Sequence, residues 1–340
     1  MSFISRNKGA IARYGIGLAV IVLTFYFLGR NLAANWSDLR SEELDVQPAL
    51  LVLSGCFLAG DILMRSILWW DLTGYFAGDS RPTYPRLAKV FVYSWIGRYV
   101  PGKVAYLVGR FYLGRAAGVP ARALVGGMAY ENVLILIMAM VVSALLLVPS
   151  LAVESESFLP YLALPAAAIA GVLLLQPAVL SRVLRLAMRL TGRDLPDSDW
   201  ILPARRMART LALSAIVFSL SGLGFYLMIA SLTDYPARYL PLAAGTMALG
   251  AVVGTVSIIT PAGLGVREGV LVGLLQFTMP RELAVLIAVV ARVWATVVDL
   301  ALVGLCFAFD YISGERLLLT AFRSRSDDSL ELEAASPLES

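Results

Sequence analysis

From Ala123 to Pro149 the chain runs through uncharged, mostly apolar residues with a single charge among them, Glu131. A helix over that stretch, rising about 1.5 Å per residue, exceeds the roughly 30 Å hydrocarbon thickness of a bilayer. Further apolar runs at 14–30, 46–70, 158–176, 210–231 and 283–309 repeat the pattern. Only 15% of residues are charged and the mean hydropathy is +0.77, whereas soluble domains carry about a quarter charged residues. The expected fold is therefore an all-α polytopic membrane protein with about six spanning helices.

Charges in the connecting segments give this expectation a direction. The N-terminus is basic (Arg6, Lys8, Arg13) and reads as an uncleaved anchor, because Arg30 follows its apolar run directly. The loop 31–45 is acidic, 71–89 carries Arg81, Arg86 and Lys89, and 150–157 carries only Glu154 and Glu156. The connector 177–209 holds seven arginines, with Val179, Val183, Leu186 and Leu190 at helical spacing beside them. Basic loops mark the cytoplasmic side, so both termini are expected there, in a bacterial inner membrane. The connector fits an amphipathic helix on an anionic leaflet and equally a plain positive-inside loop. A single transmembrane domain is expected over 1–314, with possible halves at 46–176 and 210–309. The polar tail 315–340 is expected to be disordered and cytoplasmic.

Two apolar regions, 87–115 and 240–279, are interrupted by helix breakers. The first contains Pro101-Gly102-Lys103 and the second Pro261-Ala-Gly263-Leu-Gly265. Proline removes a backbone donor and glycine loosens the chain, and broken backbone in hydrocarbon must be buried in protein or line a wet cavity. Paired breaks in two halves point to a transport site. Loop charges put the ends of the first region inside and those of the second outside. That implies two re-entrant helical hairpins in a possible inverted repeat; pairs of short tilted spans are the alternative.

Ionisable residues at membrane depth are functional candidates by default. Arg98, Lys103, Arg110, Arg267 and Arg292 are the candidate contacts for an anionic lipid headgroup, since guanidinium groups match phosphate geometry. Glu131, Glu268 and Asp299 are candidate orienting or coupling acids. The plainer alternative pairs Arg110 with Glu131 and Arg267 with Glu268. Asp61 and Arg65, one helical turn apart, read as a structural ion pair. Cys56 and Cys306 read as buried small hydrophobes. The chain has no histidine and no phosphate-binding Gly-x4-Gly-Lys-[Ser/Thr] loop, so neither catalytic residues, metal nor cofactor is expected.

Several of these elements resemble the flippase-like transmembrane family, also called the lysylphosphatidylglycerol synthase transmembrane domain family. They are Arg65-Ser-Ile-Leu-Trp69, Pro101-Gly102-Lys103 with Arg110 and Arg115, Glu131, and Pro261-Ala-Gly263-Leu-Gly265-Val-Arg267-Glu268. The chain departs from the usual pattern at Ala105 and at Tyr130-Glu131-Asn132. The resemblance implies a domain that moves lipid between leaflets. About 30 residues follow the last span, too few for the soluble aminoacyl-transferase that some relatives carry, so a stand-alone member is expected. The expected function is translocation or binding of an anionic lipid, such as a phospholipid or a polyprenyl-phosphate-linked lipid, by a non-enzyme. A homo-oligomer is possible on this reading and nucleic acid is not a partner. The alternatives are a non-transporting accessory protein and a membrane-embedded lipid transferase.

Overall fold

A computed structural model describes residues 46–80, 82–99, 104–154, 163–174, 202–256 and 265–313, and all regular structure among them is helical. The α-helices are α1 Pro48–Ala77, α2 Tyr84–Trp95, α3 Val104–Ala116, α4 Ala121–Glu154, α5 Ala163–Leu174, α6 Ala204–Ala230, α7 Leu240–Val256, α8 Val266–Leu275 and α9 Arg281–Ser313. Short 3-10 turns at Gly78–Ser80, Ile96–Tyr99 and Ala237–Tyr239 extend or precede them. Helices α1, α4, α6 and α9, together with α7 and its leading turn, are long and apolar enough to cross a bilayer. The chain is thus an all-helical, multi-pass membrane protein.

Four of the six expected spans appear as α1, α4, α6 and α9. The run 14–30, the connector as far as Ile201 and the tail from Gly314 lie outside the described residues. The run 158–176 contributes the twelve-residue α5. The fifth span is α7, which the sequence reading treated as one arm of a broken region. Its continuity has a local cause: Pro241 falls in the first turn, where a missing N–H costs nothing, and no proline follows before Val256.

The two broken regions therefore differ. In the first, α2 and α3 have 12 and 13 residues, about 18–20 Å each and too short to cross alone. They run antiparallel, Ser94 facing Arg110 and Gly97 facing Tyr106. A Cβ on Gly97 would meet the Tyr106 backbone at 2.7 Å, so only glycine lets the arms approach this closely. In the second, the long α7 pairs with α8 of only 10 residues. These too are antiparallel, Gly250 meeting Leu271 and Gly254 meeting Arg267. Gly265 starts α8 at φ 85°, a left-handed conformation that side-chain-bearing residues adopt only under strain. Pro101, Gly102, Lys103, Pro261 and Gly263 lie outside the described residues.

Close helix contact holds the frame. Helix α1 packs most extensively on α6, where Ser54 Oγ donates 2.7 Å to the Gly224 carbonyl. Helix α4 lies against α7 and α1. Gly222 abuts Ala244 so closely that an added Cβ would overlap the alanine methyl at 2.5 Å, and Gly127 abuts Thr73 in the same way. Small residues of this kind bring helices within van der Waals range where lipid gives no hydrophobic drive. One apolar core, around Trp69, Phe91, Leu124 and Leu134, joins α1 to α4. A second, around Leu147, Phe225, Leu271 and Ile287, joins the end of α4 to α6–α9. The cysteines depart from expectation: Cys56 is exposed on α1 and Cys306 is half-buried on α9. On a spanning helix an exposed apolar face meets acyl chains, so a thiol there needs no burial.

Candidate functional site: an arginine-lined cavity

A cavity of about 220 Å³ opens between these elements, and every described helix except α5 contributes to its wall. Arg65 and Asp61 come from α1, Trp95 from α2, Arg98 from the following turn and Tyr106 from α3. Glu131 and Asn132 come from α4, Phe218 and Ser221 from α6, and Met247, Gly250 and Gly254 from α7. Arg267 of α8 and Arg292 of α9 complete it. The cavity thus joins the ends of both broken regions: Arg98 directly precedes the first break and Arg267 directly follows the second.

Each cation is held in a different way. Arg65 pairs with Asp61 at 3.0 Å and lies over the Trp95 and Phe218 rings, 5.9 and 5.7 Å from their centroids. The expected ion pair is present, but it faces the cavity. Arg98 pairs with Asp299 at 2.5 Å. Asp299 also accepts from Trp95 Nε1 at 3.2 Å and from Tyr99 Oη at 2.5 Å, so one buried carboxylate of α9 pins the whole Ile96–Tyr99 turn. Arg292 lies 3.8 Å from Glu268 and 5.6 Å from the Tyr99 ring centroid.

Arg110 stands behind the cavity wall. It is fully buried, its Cζ 4.1 Å from the Phe91 ring centroid and 5.1 Å from that of Trp69, and it pairs with Glu131 at 2.5 Å. Glu131 itself lines the cavity. A buried guanidinium left alone would be very costly; here a carboxylate and aromatic faces surround it.

Arg267 is arranged differently. The plainer sequence reading paired it with Glu268, but Glu268 turns away to Arg292 and accepts the Gly265 N–H at 2.8 Å, capping α8. Among the described residues Arg267 has no carboxylate partner. Its Nη2 donates to Met247 Sδ at 3.1 Å, and its buried Nε has no hydrogen-bond partner. The five guanidinium groups Arg65, Arg98, Arg110, Arg267 and Arg292 face the four carboxylates Asp61, Glu131, Glu268 and Asp299, so by formal charge the described site carries one excess positive charge. Gly250 and Gly254 shape the groove for the Arg267 stem, lying 3.3 Å from its Cγ and 3.7 Å from its Cβ by ideal Cβ position.

Sequence reasoning did not name Met247, Tyr106, Gly250 or Gly254 as site residues, and marked Asn132 only as part of a departure from the family pattern. Tyr106 Oη donates to Asn132 Oδ1 at 2.8 Å, and Asn132 Nδ2 donates to the Met128 carbonyl. The Gly250-x-x-x-Gly254 spacing, a known signal of close helix approach, was legible; Met247 left no polar signal at all.

No curated protein matches the chain in a sequence comparison. A family model described as the lysylphosphatidylglycerol synthase TM region matches residues 13–303, a span containing every wall residue of the cavity. The chain therefore belongs to the lysylphosphatidylglycerol synthase transmembrane-region family.

Proposed function

We propose that this chain is a non-enzymatic lipid translocator that carries an anionic lipid between leaflets through the arginine-lined cavity. The observation that carries the reading is the excess cationic charge at the meeting of two helix breaks, at a depth where an unbalanced charge is costly. The headgroup would enter between Arg98, Arg267 and Arg292, with Lys103 beside the first break, while acyl or isoprenoid tails stay in the surrounding bilayer. Arg110 acts one layer back, holding Glu131 in the wall. Glu268 and Asp299 orient Arg292 and Arg98. The short arms α2–α3 suit a re-entrant hairpin entered from the cytoplasm, and α8 suits a half-helix entered from the outer side. The basic loops support an inner-membrane chain with cytoplasmic termini.

The test is movement of fluorescent lipids in proteoliposomes, varying phosphatidylglycerol, phosphatidylethanolamine and a polyprenyl phosphate. Wild type should move an anionic lipid, and Arg267→Gln should slow it by about tenfold or more, the worth of a hydrogen bond to a charged group. Absence of movement for every lipid, with or without a pH gradient, would overturn the proposal in favour of an accessory role.

A further inference from the structure

The contact between Arg267 and Met247 has chemistry that packing alone does not explain. In a guanidinium, Nε and Nη2 form one edge that presents two parallel donors, the fork that accepts two oxygens of a phosphate or carboxylate. Arg267 and Met247 both line the cavity; the buried Arg267 Nε has no hydrogen-bond partner among the described residues, and Nη2 donates to the Met247 thioether sulfur. Thioether sulfur is a weak acceptor on a flexible, unbranched side chain. Every carboxylate nearby is committed elsewhere: Asp61 to Arg65, Glu131 to Arg110, Glu268 to Arg292 and Gly265, and Asp299 to Arg98 and Tyr99.

We infer that Met247 is a displaceable occupant of the anion-binding edge of Arg267, and that the ligand displacing it is a lipid-linked phosphodiester with a net anionic headgroup. The inference rests on the lipid-carrying reading of the cavity given above. Phosphate oxygens satisfy both Nε and Nη2, whereas Met247 reaches only one of them. Its swing needs rotamer changes of one side chain, and the glycines at 250 and 254, one turn and two turns on, leave the Arg267 stem fixed while the sulfur moves. The preference for a net anionic headgroup follows from the charge balance: the described carboxylates leave one cation without a counter-charge, and a zwitterionic headgroup does not offset it. A monoanionic phosphodiester offsets the single excess positive charge.

The experiment compares the full chain in phosphatidylcholine nanodiscs with Met247→Leu, Met247→Gln and Met247→Glu. The readout is the mole fraction of phosphatidylglycerol that half-saturates the protein by native mass spectrometry, with phosphatidylethanolamine and soluble glycerol 1-phosphate as comparison ligands. Leucine keeps the volume and removes the acceptor, glutamine supplies a stronger neutral acceptor and glutamate a permanent anionic one. Affinity for phosphatidylglycerol should fall in the order Leu, Met, Gln, Glu, with the leucine variant about fivefold tighter than wild type, one modest hydrogen bond's worth. Equal affinities for the leucine, wild-type and glutamine forms, all of which preserve side-chain bulk, would overturn the inference even if the glutamate form does not fold. Binding of phosphatidylethanolamine as tight as phosphatidylglycerol overturns the preference for a net anionic headgroup, and the same order with glycerol 1-phosphate at comparable affinity overturns the lipid source. The affinity order holding while no lipid crosses a proteoliposome would defeat translocation and leave this site standing. Arg267-dependent translocation with a flat order would defeat only the role of Met247.

Discussion

Glu268 passes over its sequence neighbour Arg267 and spans two other groups, with Oε1 3.8 Å from Arg292 Nη1 and Oε2 accepting the Gly265 N–H at 2.8 Å. One carboxylate thereby caps α8, fixes an arginine of α9 and leaves Arg267 with the uncompensated charge. Helices α8 and α9 are joined through this residue.

Glu268→Gln separates the two roles. Glutamine still accepts the Gly265 N–H but no longer neutralises Arg292. The expected result is a loss of stability of about 3 kcal/mol, the low end for removing one partner of a buried pair, since both side chains are buried but stand 3.8 Å apart. Affinity for an anionic lipid should rise, because the cavity gains another uncompensated cation. Thermal unfolding in detergent and a lipid titration on the same sample check both parts.

Arg110→Ala should be poorly folded. Removing one partner of a buried pair costs about 3–5 kcal/mol because the remaining charge is stranded. The double variant Arg110→Met, Glu131→Gln removes both charges and should recover most of that loss. Monodispersity by size-exclusion chromatography, wild type against both variants, measures it. Recovery would place Arg110 in the scaffold and outside the lipid contact set.

Asp299→Ala should loosen the Ile96–Tyr99 turn, which loses the ion pair to Arg98 and the acceptors of Trp95 Nε1 and Tyr99 Oη together. Amide hydrogen exchange over residues 96–99 should accelerate by about tenfold or more, the equivalent of one or two lost hydrogen bonds. Exchange in α6 should not change, since none of its hydrogen bonds involves Asp299.

Gly250→Ala tests the groove beneath Arg267. The new methyl would lie 2.8 Å from Leu271 Cδ1 and 3.3 Å from Arg267 Cγ. The Leu271 tip can shift, so the fold should survive with a stability loss of about 1–2 kcal/mol, the usual cost of slight overpacking. Arg267 must move with it, and lipid movement should fall toward the Arg267→Gln level. Normal transport in a folded Gly250→Ala protein would show that the guanidinium tolerates displacement.

The membrane class, four of the long helices and the short arms of the first break were legible because length and the absence of charge determine them. The continuous α7 was less so. In sequence it reads as one arm of the region broken at 261–265 instead of as a span of its own, and its glycines show their close packing only through contacts with Leu147 and Arg267. Among the charges, depth in the sequence identified Glu131, Arg292 and Asp299 as buried, and all three are. Partner choice was another matter. Adjacent numbering suggested Arg267 with Glu268, while the actual partner of Glu268 comes from the next helix. Asp61 and Arg65 were legible as a pair by their four-residue spacing, but spacing could not reveal that the pair faces the cavity.

The pinning of the Ile96–Tyr99 turn by Asp299 has a consequence for biogenesis. Tyr99 and its carboxylate partner are 200 residues apart, so a growing chain makes and inserts α2 and α3 long before the acid that neutralises Arg98 has been synthesised. During that interval Arg98 must remain hydrated at a membrane surface or in a water-filled insertion site. The Ile96–Tyr99 turn can therefore dock onto its carboxylate only after α9 has been made, so the last long helix completes a site begun by the second and third.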